Sequence, residues 1–185
     1  MPEQLRADAR RNYDHLLSVA AQAFAEHGTD ASLRDVARRA GVGIGTLYRH
    51  FPTREALLEA LLSSRFDRLR DHADSLLDSP APLDAFRTWL GELVVGSATY
   101  RGLPEEVMGA LQDKESRLHA SCAAMREAGA RLLKHAQDSG AVREDVSVNE
   151  VLVLAAGLAW ASEKSPDPAK LVDKLLSIVM TGLQQ

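Results

Sequence analysis

The stretch "RRAGVGIGTLYRHFP", residues 38–52, sets Gly41, Gly43 and Gly45 ahead of a basic and aromatic run. A dinucleotide loop needs G-x-G-x-x-G directly after a strand, so that backbone amides meet a pyrophosphate. Here the third glycine comes one position early, and the residues before it read as helix. A Walker-type loop needs Gly-Lys-Ser/Thr, and the chain has no lysine before Lys114. The spacing fits two short helices and a tight turn: Ser32–Ala40, then "GVG", then Ile44–His50. Gly41 would end the first helix, where positive φ suits glycine. Leu47 and Phe51, one helical turn apart, are expected to pack inward against Val36 and Val42. Ile44, Gly45, Thr46, Tyr48, Arg49 and His50 then occupy the other faces. Thr46, Tyr48 and His50 can reach phosphates, Arg49 can reach phosphate or guanine, and Gly45 admits close backbone approach. The chemistry points to double-stranded DNA; a plain helical hairpin with a solvated charged face is the alternative.

The surrounding chain is helical in pattern, because apolar residues recur at three- and four-residue intervals nearly throughout. Tyr13, Leu16, Leu17, Ala20 and Phe24 form one stripe, closed by Gly28. Ser32, three residues before Asp35, has the spacing of a capping box. From Thr53 a stripe of Leu57, Leu58, Leu61, Leu62, Phe66 and Leu69 predicts a helix of about 25 residues, roughly 37 Å long. "DSPAP" (78–82) stops it. Helices are predicted over about 83–98, from Pro104, and through Leu118, Cys122, Met125, Leu132 and Leu133 to Gly140. Ser147 with Glu150 opens the apolar run "VLVLAAGLAWA", and Asp167-Pro168 opens the last helix. The expected fold is all-α with about nine helices. Residues 1–52 read as a three-helix helix–turn–helix domain, 53–77 as a long connecting helix, and 78–185 as a helical effector-binding and dimerisation domain.

Charge is unevenly placed. The 185-residue chain is 45% hydrophobic and 26% charged, with a net charge of -4. Residues 32–54 nevertheless hold five arginines (Arg34, Arg38, Arg39, Arg49, Arg54) against Asp35 alone, a balance of +4. The rest carries 17 basic against 25 acidic residues. An acidic protein with one basic island can still bind a polyanion locally. No apolar run approaches the roughly 18 residues of a membrane span. A single cysteine, Cys122, excludes an internal disulfide framework. A cytoplasmic protein without membrane attachment is the expectation.

Residues 20–62, "AAQAFAEHGTDASLRDVARRAGVGIGTLYRHFPTREALLEALL", resemble the N-terminal DNA-binding domain of TetR-family transcriptional regulators. The carrying motif is G-x-G-T-L-Y-x-H-F-x-x-[KR]-E. "AGAVREDVSVNEVLVLAAGLAWA" and "DPAKLVDKLLSIVMTGL" are similar to the C-terminal domains of SbtR-like members. The resemblance implies that Ile44–His50 is the recognition helix. It implies phosphate contacts from Tyr48, His50 and Arg54, with Ser32 capping the preceding helix and touching the backbone; Arg34 joins this set. Ile44 departs from the polar or lysine base reader of many members. Its side chain offers only apolar contact, for instance to a thymine methyl. Base readout then leans on Gly45, Thr46 and Arg49.

The second half suggests two further surfaces. Trp89, Leu93, Tyr100, Met108, Cys122, Met125 and Trp160 are the candidate lining of a cavity for a small apolar effector; ordinary core is the alternative. Val151, Ala155, Leu158, Leu171, Leu175, Ile178 and Val179, on the last two helices, are the candidate homodimer surface, which the resemblance also implies. Ala156, Gly157 and Ala159 would let helices approach closely. His119 and Cys122 lie three apart, but no third or fourth ligand stands near them in sequence, so no metal is expected. No cofactor is expected, and no nucleophile–base pair supports an enzyme. The leading reading is a sequence-specific repressor released from its operator by an effector. Its rival is an architectural nucleic-acid-binding protein without effector response.

Overall fold

A computed structural model describes residues 2–97, 103–162 and 165–184. Among these, nine α-helices and a short 3-10 turn form, with no strand. The helices are α1 (Pro2–His27), α2 (Leu33–Arg39), α3 (Ile44–His50), α4 (Arg54–Leu76), α5 (Pro82–Ser97), α6 (Glu105–Gln112), α7 (Arg117–Asp138), α8 (Val148–Ser162) and α9 (Pro168–Leu183).

Their ends follow from local chemistry. After α2, Gly41 takes φ 68°. Its amide donates to Arg38 O (3.1 Å) while that of Val42 donates to Ala37 O (3.0 Å). Those paired bonds satisfy carbonyls that the helix end would otherwise orphan. Gly140, at φ 72°, closes α7 in the same way through Gln137 O and Ala136 O. Asp167 caps α9 by accepting from the Lys170 amide at 3.1 Å, with Pro168 at the first helical position. The Ser147–Glu150 box is complete. Glu150 accepts from the Ser147 amide (2.8 Å) and hydroxyl, and the Glu150 amide donates back to Ser147 Oγ (3.4 Å). These bonds, led by the Ser147 amide, hold the Glu150 carboxyl below its usual range. The Ser32–Asp35 box forms only in half. Ser32 Oγ accepts from the Asp35 amide, but the Asp35 carboxylate turns to Arg38 and Arg39.

The compact units do not follow the linear order of the chain. One comprises Met1–Ser64 with Thr99–His119, and the other Arg65–Ala98 with Ala120–Gln185. In the first, α1 packs on α2 and α2 on α3. Leu16, Ala20 and Phe24 of α1, Val36 of α2 and Leu47 of α3 are fully buried. In the second, α5, α8 and α9 pack on one another, and the core gathers Leu69, Phe86, Trp89, Leu90, Leu132, Val151 and Leu176.

Trp89 lies within this second core. Its side chain is wholly buried and its indole N–H donates to Leu69 O at 3.0 Å. Such a donor must find an acceptor when it leaves water. Gly129 of α7 makes room for the ring, since a Cβ there would stand 2.3 Å from Trp89 Cη2.

Candidate nucleic-acid interface

The second and third helices of the first unit present the sequence-derived site. Leu47 and Phe51 are buried at 0% and 2% exposure, so they pin α3 by one face. Val42, expected beside them, is only half-buried. With that face fixed, Ile44 and Tyr48 stand out at 36% and 46% exposure, and Gly45 and Arg49 are exposed as well. Arg49 Nη2 donates to Thr46 Oγ1 at 3.1 Å, which orients the guanidinium along the helix surface. Ser32 and Arg34 are exposed on and before α2.

Two expected contact residues are held more tightly. His50 is half-buried, with its ring 5.9 Å edge-on from that of Tyr13, which also meets the Phe51 ring at 5.1 Å. Tyr13, read from the sequence as part of the α1 stripe, thus braces the end of α3. Arg54 is half-buried, and its Nη1 donates to Ala31 O at 2.8 Å. That bond ties the start of α4 to the segment just before α2.

The structure changes the charge of the island. Arg39 pairs with Asp35 (2.6 Å) and with Glu26 of α1 (2.7 Å), and Arg38 pairs with Asp35. Both carboxylates therefore act on arginines that the sequence window counted as available. Hydrogen bonding from Arg38 above all holds the Asp35 carboxyl below its usual range; desolvation opposes it, and the bond from Arg39 adds to the lowering. Arg39 is raised by Glu26 and Asp35 in turn. Glu26 lies thirteen residues away in sequence, and only the packing of α1 on α2 brings it in.

Gly45 and Gly43 serve no packing need of the chain itself. A Cβ at either would meet nothing within 4 Å.

The other candidate residues scatter. Trp89, Leu93 and Met125 are core residues of the second unit at 0%, 4% and 3% exposure, and Cys122 is half-buried against that core. Met108, in α6 of the first unit, is 43% exposed. Trp160 is 77% exposed. Tyr100 lies outside the described residues. Two open grooves of the second unit involve none of these seven. One, of about 670 Å³, lies between α5 and α9 beside Arg87, Gly91, Glu92, Val95, Lys170 and Leu176. The other, of about 510 Å³, lies beside Val146, Asn149, Glu150, Val153, Leu154 and Leu183. Among the described residues no three His, Cys, Asp or Glu side chains gather as metal ligands.

On the expected dimer surface, Val151 and Ala155 are instead buried in their own core, at 0% and 1% exposure. Leu158, Leu171, Leu175 and Val179 are half-buried, and Ile178 is 60% exposed. The large apolar residues that α8 turns outward are Val153, Leu154 and Trp160. A helix apolar on nearly every side gives no phase in its sequence, so packing alone decides which stripe turns inward.

Comparison with known proteins agrees with this geometry. Residues 16–61 match the family model described as bacterial regulatory proteins, tetR family, and residues 81–185 match the SbtR-like transcriptional regulator C-terminal domain. The chain is 30% identical over 181 residues to the HTH-type transcriptional repressor KstR2 of Rhodococcus jostii, covering 91% of this chain and 89% of that one. The TetR transcriptional regulator SCO0520 of Streptomyces coelicolor superposes with a TM-score of 0.76 at 33% identity, over 93% of this chain and 98% of that one. A TetR regulatory protein from Mycobacterium vanbaalenii gives 0.73 at 34% identity, over 98% and 99%. With a matching helix–turn–helix, a matching C-terminal domain and a full-length relative, the chain belongs to the TetR family of DNA-binding transcriptional regulators.

Proposed function

We propose that this protein is a homodimeric repressor that acts in the cytoplasm and leaves its operator when a small, largely apolar effector binds. The observation that carries the DNA side is α3. Leu47 and Phe51 anchor one face, while Ile44, Gly45, Tyr48 and Arg49 stay exposed on the others. In this reading Tyr48, His50, Arg34, Ser32 and Arg54 meet the phosphate backbone, and Thr46 positions Arg49. Ile44 and Arg49 meet base edges, the first by apolar contact and the second by hydrogen bonds. The Rhodococcus jostii relative is a repressor, which supports repression as the sign of control. The second unit supplies the effector site and, through α8 and α9, the dimer. Thermodynamic linkage then requires that effector and DNA weaken each other by the same factor, typically about 5- to 150-fold.

The operator test is competition of the specific site against random duplex. A repressor should prefer its operator by at least about 10³-fold, and equal affinity for both would favour the architectural alternative. Gly45→Ala sharpens it. Glycine within a helix costs about 0.5–1 kcal/mol relative to alanine, and the chain has open space at this position, so thermal stability should hold or rise. Operator affinity should fall, because a methyl group forced into a tight contact costs about 1–3 kcal/mol. Unchanged affinity would remove Gly45 from the interface.

A further inference from the structure

We infer that α8 carries both halves of a self-complementary lock: Trp160 of one protomer fills the groove beside Val153, Leu154 and Leu183 of its partner, with Gly157 on the two-fold axis. This inference rests on the homodimer proposed above and adds its register.

Three observations on one helix face carry it. First, Glu150, Val153, Leu154, Gly157, Trp160 and Ala161 are all exposed. At about 100° per residue they fall on one stripe of α8, with Gly157 near its centre and opposite the buried Val151, Ala155 and Ser162. Second, the stripe has a projection at one end and a depression at the other. Trp160 protrudes with 77% of its surface exposed, while the groove of about 510 Å³ opens beside Val153 and Leu154. Third, Gly157 leaves the middle bare, since a Cβ there would meet nothing within 4 Å.

An isologous pair repeats one patch about a two-fold axis. If two α8 helices cross antiparallel with Gly157 opposite Gly157, position 160 of each stands level with position 154 of the other and on the same side of the seam as its position 153. The projection then meets the depression twice, once on each side of the axis. A second copy of this chain is the occupant because the fit depends on both features lying equally far from one glycine. The groove suits an indole chemically as well. Its walls are apolar at Val146, Val153, Leu154 and Leu183, and Asn149 and Glu150 at its edge offer oxygen acceptors for the indole N–H.

Two variants test the register, each compared with the wild-type chain by light scattering and sedimentation. Trp160→Ala should raise the dimer dissociation constant about thirtyfold or more, as expected of a central tryptophan anchor, with helicity by circular dichroism unchanged. Gly157→Cys should give a disulfide-linked dimer on mild oxidation. Helices packed about 8–10 Å apart bring Cα atoms at their crossing within disulfide reach. Glu150→Cys, seven residues from the axis, would sit about 21 Å from its counterpart and should not cross-link. The wild-type chain, with Cys122 alone, is the second control. A wild-type dimer in which Trp160→Ala changes nothing, or in which Gly157→Cys stays unlinked, overturns the register and leaves the dimer standing. A wild-type chain that stays monomeric at micromolar concentration overturns both.

Discussion

Operator affinity is expected to fall about thousandfold between 50 and 200 mM monovalent salt, a slope near -5 in log K against log salt. Each neutralised phosphate contributes about -0.9. Counting all five arginines of the island in a dimer would give a slope of about -9. Arg38 and Arg39, however, already face Asp35 and Glu26, so the count rests on Arg34, Arg49 and Arg54 of each protomer, Arg54 while it also donates to Ala31 O. The double variant Glu26→Gln with Asp35→Asn separates the two counts. Freed of both carboxylates, Arg38 and Arg39 should steepen the slope toward about -9 while operator preference over random DNA narrows. A filter-binding or fluorescence titration across salt concentrations reads both. A wild-type slope already near -9 would mean that the ion pairs open on DNA, and a slope near zero would remove the island from the interface.

The largest effect on stability is expected at Trp89. Trp89→Ala should cost about 3–5 kcal/mol in urea unfolding, since it empties the centre of the second core and removes the indole's bond to Leu69 O. Gly129→Ala is the finer test, because two effects of opposite sign meet there. Alanine favours the helix by up to about 1 kcal/mol over glycine. Against that, the new methyl would lie 2.3 Å from Cη2 and 2.7 Å from Cζ2 of an indole held by its hydrogen bond and buried on all sides. Overpacking costs about 1–3 kcal/mol, so the clash outweighs the propensity and Gly129→Ala destabilises. Trp89→Phe removes the offending ring atoms. In that background Gly129→Ala should cost much less, with a coupling of about 0.5–3 kcal/mol between the two positions. Additive losses would show that the indole tilts aside freely.

Much of this was legible in the sequence, for local reasons. Gly41, Gly140, Ser147 and Asp167 act on residues within five positions of themselves, so spacing alone reveals the helix ends. The buried face of α3 was legible too, because Leu47 and Phe51 are one turn apart with polar or small residues between them. What escaped depends on tertiary packing. Glu26 reaches Arg39 across thirteen residues, and no window over 32–54 contains it. Trp160 reads in sequence as a pocket liner or an ordinary core residue, and only the fold shows it as a surface projection. Val151 and Ala155 read as partner-facing residues, yet the rotational setting of α8 against α5 and α9 buries them and turns Val153 and Leu154 outward. The grouping of residues 103–119 with the N-terminal unit has no local signal either, since it arises from how distant segments meet.

The pairing of Glu26 and Asp35 with two of the island's arginines bears on how such a protein finds its site in a chromosome. Each searcher faces about 10⁶–10⁹ competing stretches of duplex, and indiscriminate adhesion to them is set by phosphate contacts. Every arginine quenched from within the fold would shorten the dwell on irrelevant sequence without touching the residues on α3 proposed to read bases. The acidic balance of the rest of the chain, 25 acids against 17 bases outside the island, works in the same direction by adding a net repulsion from DNA. On the proposed reading the molecule would exchange grip for turnover: it would sample more sites per unit time and stay where the contacts proposed for Ile44, Thr46 and Arg49 add to a modest electrostatic hold.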